Sequence, residues 1–152
     1  IKASEHKGTS MVEILQNCII FANQVHNEIT GKEVRADHQI YLKHGEPMLF
    51  GEDNCKGLIL EKGKLRAVKI GENGYTLDDI LIHDEKVPDD TIHYMLARMS
   101  LPELPVAMGV IRACETKVYE SMLVEQVKYA RENTKIKTVN DLLHSGNIFE
   151  VD

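Results

Sequence analysis

Between Lys56 and Ile70 two apolar-rich runs, Gly57 to Leu60 and Leu65 to Ile70, flank the polar break Glu61, Lys62, Gly63 and Lys64. Runs of that length around a glycine-containing break spell an antiparallel β-hairpin. Helical spacing appears further on. Behind Pro88 and Asp89, the residues Ile92, Met95, Leu96 and Met99 recur at i, i+3, i+4 and i+7, one apolar stripe that Pro102 and Pro105 bring to an end. Val106 to Ile111 reads as a strand. Tyr119, Met122, Leu123, Val127 and Ala130 then mark one face of the longest helix, about four turns long. Thr138 with Asp141 resembles a capping box for a last short helix ending near Gly146. Hairpin strands mixed with helices make the class α/β or α+β.

The first residues suggest a different kind of sheet. Residues 1 to 7 read as helix, with Gly8 at the place where a helix stops. Met11 to Leu15 is a short, nearly continuous apolar run, as expected of a strand buried on both faces of a parallel sheet. Its carboxyl end carries Gln16, Asn17 and Cys18, and ligands of open α/β sheets gather at such ends. The chain starts at Ile1 in what reads as the last turns of a helix, with neither a methionine nor a cap before it, so it is expected to be the C-terminal part of a larger subunit. From Asn23 to Glu46 the pattern is polar and irregular, an extended surface connection. Ile40 to Leu42 and Met48 to Phe50 are candidate short strands, and Ile80 to Ile82 a third strand or short helix.

At 152 residues, with 43% hydrophobic and 28% charged, the composition is that of a folded globular domain. The net charge of −6 and scattered Lys and Arg argue against nucleic acid, whose phosphates need clustered cations. No apolar run is long enough for a membrane span, and the first ten residues lack the centre of a secretory signal. A soluble, cytoplasmic protein is expected. Cys18, Cys55 and Cys114 are too widely spaced for a disulfide framework or a CxxC half-site, which fits a reducing compartment.

Neither G-x-G-x-x-G nor G-x-x-x-x-G-K-[ST] occurs. The seven histidines never pair with each other or with Cys at ligand spacing on a helix, against a closed zinc site. The doublets Asp78/Asp79 and Asp89/Asp90 sit where turns and helix caps want carboxylates, and adjacent side chains point apart. Cys18 remains. Taken alone, a cysteine after a buried strand reads as a packed thiol, since free cysteine is among the most buried residue types.

Its surroundings raise a second reading. The run HKGTSMVEILQNCIIFAN, from His6 to Asn23, resembles the β subunit of the 2-oxoacid:ferredoxin oxidoreductases, with its Gly-Thr/Phe-Ser strand ending in a Cys-x-x-Phe-x-Asn turn. KEVRADHQIYLKHGEPMLFG, from Lys32 to Gly51, is similar to the segment that follows in that subunit. So are Lys56 to Leu58 and Asp78 to Asp84. PVAMGVIRACETKVYE and NDLLHSGNIFEV resemble the last stretch of the 2-oxoglutarate-type members. The resemblance covers nearly the whole chain.

It implies an enzyme that decarboxylates a 2-oxoacid with thiamine diphosphate and Mg²⁺, passes electrons through a 4Fe-4S cluster to ferredoxin, and forms an acyl-coenzyme A. On this reading residues 1–18 end the thiamine-diphosphate-binding parallel-sheet domain. Residues 19–152 form a mixed α+β C-terminal extension. Cys18 matches the family's fourth cluster ligand, its only metal-site residue in this chain. The three other cluster cysteines and the diphosphate motif belong to an N-terminal part, so this chain alone is expected to bind no cofactor and to be inactive. Expected partners are the α and further subunits and ferredoxin, with a homodimer of the chain held open. Asn17 and Asn23 are candidates to hydrogen-bond the cluster or simply to form the turn. Arg112 is a candidate contact for a partner subunit or an anionic substrate, or a surface salt bridge. Two alternatives stay open: an assembly module without direct catalytic role, in which Met95, Met99, Met108 and Met122 meet another subunit, and a pyruvate- or branched-chain-specific member.

Overall fold

A computed structural model describes residues 1–149 and 151. The chain divides into two compact units, one of residues 12–115 and one of residues 1–11 with 116–152.

The hairpin organises the first unit. Strands β3 (Lys56–Glu61) and β4 (Lys64–Lys69) pair antiparallel from Lys56↔Lys69 to Glu61↔Lys64, and β2 (Leu49–Phe50) adds antiparallel to β3. The turn is only Lys62 and Gly63, with φ of 51° and 74°. Two successive positive φ values make the tight turn whose twist matches that of the strands, and glycine takes its second position without a Cβ penalty. The hairpin is covered on both faces at Leu58 and Ile59, which is why these two run on without alternation, while Leu60 is exposed. Leu58 and Leu65 face a cluster with Ile40, Leu42, Met48, Phe50, Leu96 and Met99. Ile59 and Val68 face a second one with Ile80. Ile80 presses so close that a Cβ on Gly57 would lie 2.5 Å from its Cδ1.

A second sheet is parallel: β1 (Gln39–Leu42) pairs with β5 (Val106–Gly109) in the register Gln39↔Val106 to Leu42↔Gly109. Parallel partners need a long crossover, and here it contains the whole hairpin and the helix α4 (Thr91–Ala97). The α4 stripe is buried as its spacing requires, with Leu96 and Met99 in the core and Ile92 and Met95 packed against it. Short helical turns, α2 (Asn27–Thr30) and α3 (Arg35–His38), interrupt what reads in sequence as an extended connection. Ile80 to Ile82 forms no strand; it follows a single 3-10 turn at Leu77–Asp79, and Ile82 makes an isolated bridge to Pro47.

The other unit holds α1 (Lys2–Glu5), α5 (Tyr119–Asn133) and α6 (Val139–Leu143). The capping box is present at α6: Asp141 N–H donates to the Thr138 hydroxyl at 3.1 Å, and Thr138 N–H donates to the Asp141 carboxylate at 2.8 Å. No helix among the described residues is long and apolar enough to cross a membrane.

The expected strand Met11 to Leu15 is not formed. These residues carry no ladder, and Met11 and Ile14 are 91% and 76% exposed. A strand persists only where a neighbour takes its N–H and C=O groups, and none among the described residues lies alongside. The fold is thus mixed α/β with one parallel and one antiparallel sheet.

Candidate functional site

Cys18 opens a tight reversal. Ala22 N–H donates to the Cys18 carbonyl at 2.9 Å, closing a loop across Ile19, Ile20 and Phe21. Asn17 secures the next turn: its Oδ1 accepts from Gln24 N–H at 2.7 Å, and its Nδ2 lies 3.5 Å from Asn23 Oδ1. Both asparagines thus help to hold the turn. What the sulfur faces is backbone. The N–H groups of Phe21 first, then Ile20 and Ala22, hold the Cys18 thiol below its ordinary range, opposed only by partial burial. Hydrogen bonds to the charged form favour it, and the thiolate is the form that ligates metals and attacks electrophiles. Around it Ile19, Ile20 and Phe21 are 77%, 78% and 90% exposed. No group of three or more His, Cys, Asp or Glu among the described residues is placed to hold a metal ion.

A second constellation lies at the carboxyl end of β5. The segment 110–114 runs along 83–88 like a strap, joined by Ala113 N–H to the Glu85 carbonyl at 2.7 Å. Beneath it His83 and His93 are 1% and 3% exposed, their rings edge-to-face with centroids 6.1 Å apart. His83 Nε2 donates to the Val110 carbonyl at 2.9 Å, and His93 Nε2 donates to the Asp84 carbonyl at 2.7 Å. Arg112 donates to the Val87 and Pro88 carbonyls at 3.3 and 3.0 Å and to His93 Nδ1 at 3.0 Å. The Cys114 thiol donates to the Val87 carbonyl at 3.0 Å. Arg112 thus hydrogen-bonds acceptors of its own chain, and its charge also acts on the nearby Asp89 carboxylate.

No family model matches the chain, and no solved structure matches it. A curated relative does: the 2-oxoglutarate oxidoreductase subunit KorB of Mycobacterium tuberculosis is 30% identical over 153 residues, which is 99% of this chain. This chain is similar to an oxidoreductase subunit. The resemblance read from the motifs is borne out along essentially the full length. The chain spans 40% of the length of KorB, matching a C-terminal part of it.

The remaining candidates have structural work. Asp79 closes a capping box with Thr76, accepting from its N–H at 2.7 Å, and Asp89 accepts from Thr91 N–H at 2.9 Å at the start of α4. Asp79 and Asp89 thus make the cap and turn contacts that the positions of the doublets indicated. Cys55 is partly buried beneath Gly51, whose Cβ position would lie 3.3 Å from the sulfur. The strap under Arg112 escaped sequence reading because its partners are backbone carbonyls, which leave no trace in residue type.

Proposed function

We propose that this chain serves as the C-terminal part of the β subunit of a 2-oxoacid:ferredoxin oxidoreductase, with 2-oxoglutarate as the favoured substrate and coenzyme A as acyl acceptor. The single observation that carries the reading is the match to KorB over 99% of the chain. The Cys18 loop supports it independently. Each iron of a 4Fe-4S cluster takes one terminal thiolate besides its sulfides, and N–H groups around the sulfur are a recognised means of setting its potential. A partly exposed thiol faced by the N–H groups of Phe21 and Ile20 fits one corner of such a cage.

On this reading Cys18 is the fourth cluster ligand and three cysteines come from elsewhere in the subunit. The cluster, when bound, supplies one-electron transfer from the thiamine-diphosphate-dependent decarboxylation toward ferredoxin. This chain's own residues position the thiolate: Asn17 and Asn23 hold the turn, and the exposed side chains of Ile19, Ile20 and Phe21 exclude water once covered. Residues 1–18 complete the thiamine-diphosphate-binding domain, and Met11 to Leu15 gains its strand partners there. Residues 19–152 form the extension, and the chain alone is inactive, with the α subunits and ferredoxin as the partners of the complete enzyme.

The test is reconstitution with iron and sulfide. The 152-residue chain alone should give no 4Fe-4S absorption, whereas a subunit carrying it as its C-terminal part should. Cys18→Ser in that longer subunit should lose the cubane signal in absorption and electron paramagnetic resonance. A full cluster in the Cys18→Ser protein overturns the ligand assignment.

A further inference from the structure

Beyond β4 the chain reverses between Glu72 and Tyr75, where Tyr75 N–H donates to the Glu72 carbonyl at 3.1 Å and Gly71 N–H to the Tyr75 carbonyl at 2.8 Å. The two middle residues, Asn73 and Gly74, have φ of 52° and 83°, and both are exposed. Consecutive positive φ values suit an Asn-Gly pair, and this is the only such pair in the sequence. The pair also carries a latent reaction. The backbone nitrogen of the residue after an asparagine attacks the side-chain amide at Cγ, an intramolecular ring closure favoured by proximity. Glycine hinders that attack least, because it has no Cβ.

What the fold adds is a nucleophile left free. The backbone amide that follows Asn23 donates to Asn17 Oδ1 at 2.7 Å, and the one after Asn140 donates to the Thr138 hydroxyl at 3.1 Å. The amides after Asn54 and Asn133 donate to the Glu52 and Ala130 carbonyls at 3.2 and 3.0 Å. Gly74 N–H and the Asn73 side chain make no hydrogen bond among the described residues. Apart from its chain neighbours, nothing lies within 4 Å of the place a Cβ on Gly74 would take.

We propose that Asn73 is a site of spontaneous modification, losing its side-chain amide through attack by Gly74 in the folded chain. The Gly74 nitrogen gives up its proton to hydroxide and bonds to Asn73 Cγ. The side-chain nitrogen takes a proton and leaves as ammonia, and the product is a succinimide. One water then opens the ring at either carbonyl, to aspartate or to isoaspartate. Nothing is oxidised or reduced. Either product adds one negative charge to the net −6 of the chain. Isoaspartate also lengthens the backbone by one methylene, inside the turn that the bond from Gly71 N–H to the Tyr75 carbonyl closes. Tyr75 packs against the cluster of Ile59, Val68 and Ile80, so the change reaches the edge of the core. This inference goes beyond the oxidoreductase reading and does not depend on it.

The folded 152-residue chain, incubated at neutral and at mildly alkaline pH, should be followed by peptide mass spectrometry. Digestion with an endoprotease that cuts before aspartate but not before isoaspartate separates the two products. Asn73 should convert about ten-fold or more faster than Asn54 or Asn140, and faster at the higher pH, since the attacking nitrogen must first lose its proton. Gly74→Ala should slow the conversion about ten-fold or more by crowding that nitrogen. The isoaspartate form should lose hydrogen-exchange protection at Gly71 N–H. Conversion of Asn54 or Asn140 as fast as that of Asn73 overturns the proposal. Asn73 left intact in the folded chain does so too, and conversion of the urea-unfolded chain over the same period would assign that protection to the turn.

Discussion

Arg112 donates to Nδ1 of the buried His93 at 3.0 Å while the same guanidinium holds the Pro88 carbonyl at 3.0 Å. Arginine has donors only, so His93 must accept at Nδ1 and donate at Nε2, which it does to the Asp84 carbonyl. One side chain thereby fixes the tautomer of a core histidine and ties the strap after β5 to the start of α4. Arg112→Met should lower unfolding stability by about 1–2 kcal/mol, the scale of one or two lost charge-assisted bonds at a partly exposed site. It should also erase hydrogen-exchange protection at Ala113 N–H. Arg112→Lys should restore less than half, because a point charge cannot serve divergent acceptors. Unchanged protection at Ala113 in the methionine variant would show that the strap holds without the clamp.

Gly57 has no room for a side chain, with Ile80 Cδ1 2.5 Å from the position a Cβ would take. Gly57→Ala should destabilise the chain by about 1–3 kcal/mol through overpacking. Ile80→Val alone removes one methyl and should cost about 1 kcal/mol. In the double variant the two costs should fall short of their sum by more than about 0.5 kcal/mol, the signature of contacting residues in a double-mutant cycle. Simple additivity in urea unfolding would mean that the hairpin shifts away from Ile80 instead.

Where local pattern and tertiary demand coincide, the fold is legible from the sequence. The β3–β4 hairpin, the α4 stripe and the Thr138–Asp141 box are set by neighbours a few residues away, and each stands as read. The parallel pairing of Gln39–Leu42 with Val106–Gly109 is not legible, since two four-residue apolar runs on either side of a long crossover carry no register. Met11 to Leu15 fails for the opposite reason. Its apolar run is a demand for flanking strands, and exposure near 91% at Met11 shows that demand unmet within the described residues. At the candidate site the sequence singles out Cys18, but the N–H groups that prepare its sulfur belong to Phe21 and Ile20 through backbone geometry alone.

Three exposed carboxylates give the chain a defined acid response. Asp79 is held below the usual range by the N–H and hydroxyl of Thr76, Asp89 by those of Thr91, and Asp141 by Lys137 N–H and by Thr138. A carboxyl whose folded pKa is depressed stabilises the fold above its unfolded pKa of about 3.9, and that contribution disappears as pH falls through the folded value. Unfolding stability should therefore be level in these groups from about pH 5 to 7 and decline below about pH 4. Asp79→Asn, Asp89→Asn and Asp141→Asn together should flatten that decline. An undiminished acid slope in the triple variant would assign the response to other groups.

The Cys18 thiol offers a direct check on the loop that prepares it. Alkylation by iodoacetamide requires thiolate, so its rate against pH reports the thiol's own titration. In the 152-residue chain, with Cys55 and Cys114 replaced by Ser and Ala, the Cys18 profile should have its midpoint below that of an ordinary thiol, whose pKa is about 8.5. Phe21 supplies the largest of the stabilising N–H contacts, and Phe21→Pro removes that donor together with the aromatic ring. The midpoint should then move up toward the ordinary value, while Phe21→Leu, which keeps the N–H, should leave it in place. If leucine raises it as much as proline does, the aromatic ring and not the amide shapes the thiol, and the loop would lose its claim to be a thiolate cradle. Because the loop is closed separately by Ala22 N–H on the Cys18 carbonyl at 2.9 Å, the proline variant should keep its overall turn, which the Asn17 and Gln24 amide resonances would report.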